Sequence, residues 1–126
     1  MGYGVAKPVG PKLSIIYKIM SQQQWEEAQA KGQFEGSEVD AKDGFIHLSA
    51  VHQVRATAEK HFAGQRDLVL VYVQEESLGA DLKWEVSRGG DLFPHYYGTL
   101  SLLAVARAVP LPLVNGIHQL AGVFPE

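Results

Sequence analysis

The stretch Leu68-Val69-Leu70-Val71-Tyr72-Val73 is apolar at every position, with valine at every second place. Side chains of a strand alternate between its two faces. A strand apolar on both faces has to be covered above and below, so this run predicts a central strand between two packed layers. Upstream, Ile15-Ile16-Tyr17-Lys18-Ile19-Met20 is β-branched and aromatic and reads as the first strand. A helix follows at once. Ser21 and Gln24 have the spacing of a capping box, and Met20 with Trp25 that of a hydrophobic staple. The helix runs through Trp25, Ala28 and Ala30 to a left-handed stop at Gly32.

Between these landmarks, Phe34 to Asp43 reads as a polar loop and Gly44-Phe45-Ile46-His47-Leu48 as a short strand. Ser49 is expected to cap a second helix. Val51, Val54, Ala58 and Phe62 recur along one face of it, and Gly64 ends it. Downstream, Trp84 to Ser87 alternates as a strand and Arg88-Gly89-Gly90 reads as a turn. Pro94 lacks a backbone donor, which argues against the interior of a central strand. Tyr96 to Val109 is rich in β formers and reads as one or two strands; Pro110 to Glu126 is weakly patterned and receives no element. The order β-α-β-α-β followed by further strands predicts an α+β fold. Two main helices would pack on a mixed or antiparallel sheet. Residues 1–13 carry Gly2, Gly4, Pro8, Gly10 and Pro11 and read as a flexible arm before a single domain spanning 14–126.

With 126 residues the chain suits one domain, and 46% hydrophobic against 20% charged residues marks it as globular. Cysteine is absent, which excludes disulfides, thiolate zinc sites and a cysteine nucleophile. No apolar run reaches the roughly 18 residues of a membrane span, and the N-terminus lacks a secretory pattern, so a cytoplasmic location is expected. A formal charge of −3 gives no general attraction to nucleic acid, which is not expected as a partner. Glycine-rich phosphate loops, the dinucleotide fingerprint and the serine-hydrolase elbow are all missing.

Two segments carry the candidate chemistry, GFIHLS at 44–49 and SRGGDLFPHYYG at 87–98. Strand alternation places Phe45, His47 and Ser49 on one face and turns Ile46 and Leu48 to the core. His47 then meets a polar space, expected beside a helix start that would suit an anion. Arg88 with Gly89 and Gly90 would clamp a phosphate or carboxylate, the glycines permitting close backbone approach. His95 and Tyr97 follow Pro94 on a segment that would line a site, and Glu85 is a candidate general base or ribose partner. Each has a structural alternative. His47 would be a buried histidine bonded to backbone, and Arg88 an ion pair with Glu85 or Asp91. His95 would sit in a packed aromatic corner, and Glu85 would be a solvated strand residue. His47 and His95 have no clear third ligand, so no metal site is assigned.

The motifs DGFIHLS and SRGGxLFPHxYG, with the IYKI and FAG segments, resemble an uncharacterised family of small, mainly bacterial domains. The match spans about Ile16 to Val109, with Tyr96 where leucine is common. That family is in turn similar to the ADP-ribosyltransferase-like fold, which also includes RNA 2′-phosphotransferases. The resemblance implies that His47 contacts a ribose, that Ser49 lies near the nicotinamide side and that Arg88 holds a phosphate. NAD is the implied ligand. The fold's late glutamate has no counterpart, since the only acid after Asp91 is Glu126, so Glu85 is the acid nominated. Three readings follow: an enzyme acting at the ribose of an NAD-like ligand, a non-catalytic module for a nucleotide or anionic metabolite, and an RNA 2′-phosphotransferase. The last ranks below the others, because Trp84 to Leu103 offers Arg88 alone as a strong base.

Overall fold

The computed structural model describes residues 14–120; the predicted arm at 1–13 lies outside them, as do residues 121–126. The elements in chain order are β1 (Ile15–Ser21), α1 (Gln22–Lys31), β2 (Gln33–Phe34), α2 (Glu38–Asp43), β3 (Ile46–His47), α3 (Val54–His61), β4 (Leu68–Gln74), β5 (Leu82–Val86), β6 (Leu92–Tyr96), β7 (Leu100–Ser101), β8 (Val105–Leu111), β9 (Leu113–Val114) and β10 (Ile117–His118). Short 3₁₀ turns link several of them, including Val51–Gln53 before α3 and Arg88–Gly90 between β5 and β6. Among the described residues, no helix is long and apolar enough to cross a membrane.

The chain is α+β, and every strand pair among the described residues is antiparallel. One sheet has the order β1-β4-β8 and a second the order β3-β6-β5, with two-stranded pairs β2-β7 and β9-β10. β4 is central, as its apolar run predicts. Val69, Val71 and Val73 pack with Ile16, Met20, Phe34, Ile46 and Leu48 on one face. Leu68, Leu70 and Tyr72 pack with Tyr17, Ile19, Val54 and Ala58 on the other. Each such buried side chain contributes roughly 1.5–3 kcal/mol through area removed from water. α1 starts as expected: Ser21 Oγ accepts from the Gln24 amide at 3.0 Å, and Gln24 Oε1 accepts from the Ser21 amide at 2.9 Å. It stops at left-handed Gly32.

Three expectations are corrected, and the tail, which had received no element, gains one. The loop expected at 34–43 contains α2, whose capping box joins Ser37 and Asp40. The second helix starts later than expected: a 3₁₀ turn with Ala50 at its own N-cap precedes α3, and Ser49 caps neither. Ser49 is used instead in the sheet, exchanging two 2.8 Å backbone bonds with Tyr17. Pro94 does lie inside a central strand, β6. The Pro94 carbonyl accepts from the Leu48 amide at 3.1 Å, so its nitrogen also faces the β3 side. There β3 has ended and the chain is already turning toward β1, so the ladder reaches its end where the donor is missing. The tail is structured to Leu120, with Asn115 (φ 52°) and Gly116 (φ 78°) making the tight turn of the β9-β10 hairpin.

One polar contact pins the layers together. Lys18 shares a face of β1 with Ile16 and Met20, so its ammonium enters the apolar core, and the residue is 8% exposed. Its Nζ donates to Asp40 at 3.2 and 3.0 Å and to the His47 carbonyl at 2.9 Å. Asp40, 3% exposed, also accepts from the Ser37 amide at 2.8 Å and the His47 amide at 3.0 Å. Burial pushes the Asp40 carboxyl up, but the His47 bond, the Lys18 charge and the backbone amides outweigh it and hold the group well below the usual range. Burial pushes the Lys18 ammonium down, partly offset by Asp40.

Asp40→Asn should cost about 3–5 kcal/mol in urea unfolding, because an ammonium is left buried without its counter-charge; a loss under about 1 kcal/mol would contradict the buried pair. The folded Asp40 binds its proton less readily than the unfolded residue, whose value is about 3.9. Its contribution is therefore complete above that value and lost as pH falls below it. Urea midpoints measured between pH 7 and pH 3 should fall more steeply for the native chain than for Asp40→Asn.

Candidate functional site

The antiparallel pairing of β3 with β6 puts His47 directly opposite His95. Their ring centroids are 5.6 Å apart, at an interplanar angle of 68°. Phe45 lies against both, stacked on His95 at 4.0 Å and tilted against His47 at 4.6 Å. Ser49 follows where the chain leaves β3 for β1. Its hydroxyl lies 3.1 Å from that of Thr57 on α3. His47, Ser49, Thr57 and His95 line a cleft of about 820 Å³ that also touches the N-terminal ends of α1 and α2, and Lys60 and His61 of α3 with Phe62 just after it. A smaller groove of about 230 Å³, between α3 and the β9-β10 hairpin, holds none of the predicted residues.

The two imidazoles have different surroundings. His95 is 5% exposed, and its Nδ1 lies 2.7 Å from Glu85 Oε1. A carboxylate only accepts, so Nδ1 carries the proton and a neutral ring keeps its lone pair on Nε2. Among the described residues no group bonds Nε2. Tyr97 donates to the same Glu85 oxygen at 2.7 Å. The bonds from His95 and then Tyr97 hold the Glu85 carboxyl below its usual range. That carboxylate in turn pushes the Tyr97 hydroxyl up. His47 has a carboxylate at each ring nitrogen: Asp40 Oδ1 at 2.6 Å from Nδ1, and Asp43 Oδ2 at 2.9 Å from Nε2. Asp40 is buried, whereas the Asp43 side chain is 43% exposed and lies on the cleft wall.

Of the predicted site residues, His47, Ser49 and His95 come together in the cleft wall. Glu85 and Tyr97 do not line it; they stand behind His95 and fix its ring. Glu85 therefore reaches the cleft only through His95, not as the direct base or ribose partner expected. Gly89 and Gly90 are exposed, with φ of 67° and 83°, and a Cβ at either would meet nothing within 4 Å among the described residues. Glycine is required there by the left-handed turn, and the structure gives no sign of a close backbone approach. Ser87, beside that turn, does line the cleft. The Arg88 side chain lies outside the described residues. The helix beside His47 is α2 and not the one expected after Ser49: Asp40 in its first turn and Asp43 at its C-terminal end hold the ring.

Sequence reasoning missed Lys18, Asp40, Asp43 and Thr57. Asp40 had a readable signal, since Ser37-Glu38-Val39-Asp40 has capping-box spacing. Lys18 also left one, a lone charge in an apolar strand. Thr57 left none, because only the packing of α3 brings it to Ser49.

Known proteins place the chain further. No curated protein matches it. The X-ray crystal structure of protein CC0527 from Caulobacter crescentus is 54% identical. It covers 85% of this chain and 95% of its own, with a TM-score of 0.82. The solution NMR structure of CC0527 is 52% identical, covering 87% and 96%, with a TM-score of 0.78. The model of the family described as protein of unknown function DUF952 matches residues 19–108. That match spans both motif segments and the whole wall formed by His47, Ser49 and His95, and the chain belongs to the DUF952 family.

Proposed function

We propose that the cleft binds a ribose-phosphate ligand such as NAD, with His47 and Ser49 against the sugar and His95 as the group that moves a proton. One observation carries this reading. Two imidazoles from distant segments meet at one register position and open, with a hydroxyl, into the same cleft. The cleft volume falls within the roughly 300–1,000 Å³ usual for small-molecule sites. Phe62 and Phe93 offer aromatic surface for a base, and Lys60 a positive charge for phosphate. Arg88 is kept as a second phosphate partner on its position beside Ser87. The carboxylate behind His95 fixes its tautomer, as an acid–base histidine requires. The resemblance read from the sequence motifs, through a family similar to the ADP-ribosyltransferase-like fold, makes NAD the first ligand to try.

A second reading, binding without chemistry at the ribose, is favoured by a specific observation. Glu85 is committed to His95 and Tyr97 and does not line the cleft. Transfer at the ribose then has no direct carboxylate from this half of the chain. An RNA 2′-phosphotransferase remains the least supported reading in an acidic chain with a net charge of −3.

Thermal unfolding with NAD and with ADP-ribose tests the proposal. A ligand at 100 times its Kd adds about 2.7 kcal/mol and should raise Tm by roughly 5 °C or more. His95→Ala and Ser49→Ala should abolish that rise. If neither compound moves Tm, the ribose-phosphate reading is wrong. Free nicotinamide from NAD, followed by chromatography, would decide for chemistry at the ribose over binding alone.

A further inference from the structure

The environments of His47 and His95 assign them opposite proton roles. His47 faces carboxylates through both nitrogens. It can donate to both only as the imidazolium. His95 faces one carboxylate, at Nδ1, and its Nε2 is bonded by no group among the described residues. One ring is thus placed to give a proton at Nε2 and the other to take one there. The rings stand 5.6 Å apart on the wall of one cleft, with Phe45 packed against both.

We infer that His95 and His47 form a general base–general acid couple that hydrolyses a phosphodiester of a ribose-phosphate ligand. The inference rests on the reading of the cleft given above and adds a reaction to it. The couple requires a phosphodiester seated with its attacking oxygen within roughly 2.6–3.2 Å of His95 Nε2 and its leaving oxygen within the same reach of His47 Nε2. His95 Nε2 takes a proton from water as the water oxygen bonds to phosphorus. The bond from phosphorus to the leaving oxygen breaks with its electron pair on that oxygen, which takes the Nε2 proton of His47. Asp43, half exposed, gives up Nε2 to the leaving oxygen, while buried Asp40 keeps its hold on Nδ1. The products are a phosphomonoester and an alcohol, and exchange with solvent returns a proton to His47 and removes one from His95.

The charged groups around the couple fit these roles. Asp40 and Asp43 of α2 face His47, with Lys18 of β1 behind Asp40. Glu85 of β5 faces His95, with Tyr97 on the same oxygen and Lys83 opposite it in register. Lys60 and His61 of α3 and Glu27 of α1 line the rest of the cleft.

The experiment incubates the full chain with adenosine 2′,3′-cyclic monophosphate and with bis(p-nitrophenyl) phosphate, and follows ADP-ribose binding by Tm in the same samples. Hydrolysis is expected, with a bell-shaped dependence of kcat/KM on pH. His95→Ala should lower it at least 100-fold, about the smaller contribution of a positioned acid or base, and added imidazole should restore part of the rate. His47→Gln should lower it comparably. Should that variant fail to fold by circular dichroism, imidazole rescue of His95→Ala carries the test alone. No hydrolysis alongside an ADP-ribose shift overturns the couple and leaves the binding reading intact. Hydrolysis of bis(p-nitrophenyl) phosphate without an ADP-ribose shift sustains the couple and overturns the ligand assignment. A rate unchanged in His95→Ala, or a flat pH profile, overturns the couple.

Discussion

A lysine ammonium and an aspartate carboxylate, both taken out of water, hold this fold in register. Lys18 lies on the inward face of β1, and Asp40 is the third residue of α2. Stripping water from two charges costs several kcal/mol per ion, and their attraction offsets this only when the remaining hydrogen-bonding capacity is filled. Here it is filled: the ammonium meets both Asp40 oxygens and the His47 carbonyl. The carboxylate also receives two backbone amides and the His47 ring. Such a pair adds little net stability over an apolar core. It acts by excluding arrangements in which either charge would be buried alone.

That constraint passes directly to the cleft. Asp40 bonds the amide and the ring of the same histidine, so the residue that terminates the polar network also faces the ligand space. β3 then pairs with β6 for two residues, and that short register sets His47 against His95. Beyond it, Leu48 bonds Pro94 and Ser49 bonds Tyr17, joining the two sheets through one segment of chain. The cleft lies where this segment passes between sheets, walled by α3 on the far side. One ring is held by two acids, one of them buried, and the other by a single partly exposed acid, and this gives two histidines of like chemistry unlike surroundings.

Much of this frame is legible in the residues themselves. The six apolar residues from Leu68 to Val73 describe a strand covered on both faces, and the Ser21–Gln24 box describes where α1 begins. Both are local signals with one physical outcome, so tertiary packing had nothing to override. The Ser37–Asp40 box and the Asn115-Gly116 turn were equally local, yet they sat in stretches read as loop and tail. Pro94 is different in kind. Its missing donor is harmless only because β3 ends beside it, a fact about a partner strand that no reading of β6 alone can contain.

The sequence by itself determined the central strand, the first helix, the α+β class and the two segments that carry polar chemistry, because these depend on periodicity and capping within a few residues. Only the tertiary structure decided that Glu85 and Tyr97 support His95 from behind, that Ser49 serves a sheet, and that Lys18 answers Asp40 across the core. Those outcomes depend on which side chain lies opposite which across a strand pair or a buried layer. Burial, which makes an unmatched charge costly, is a property of the assembled layers and of no single segment.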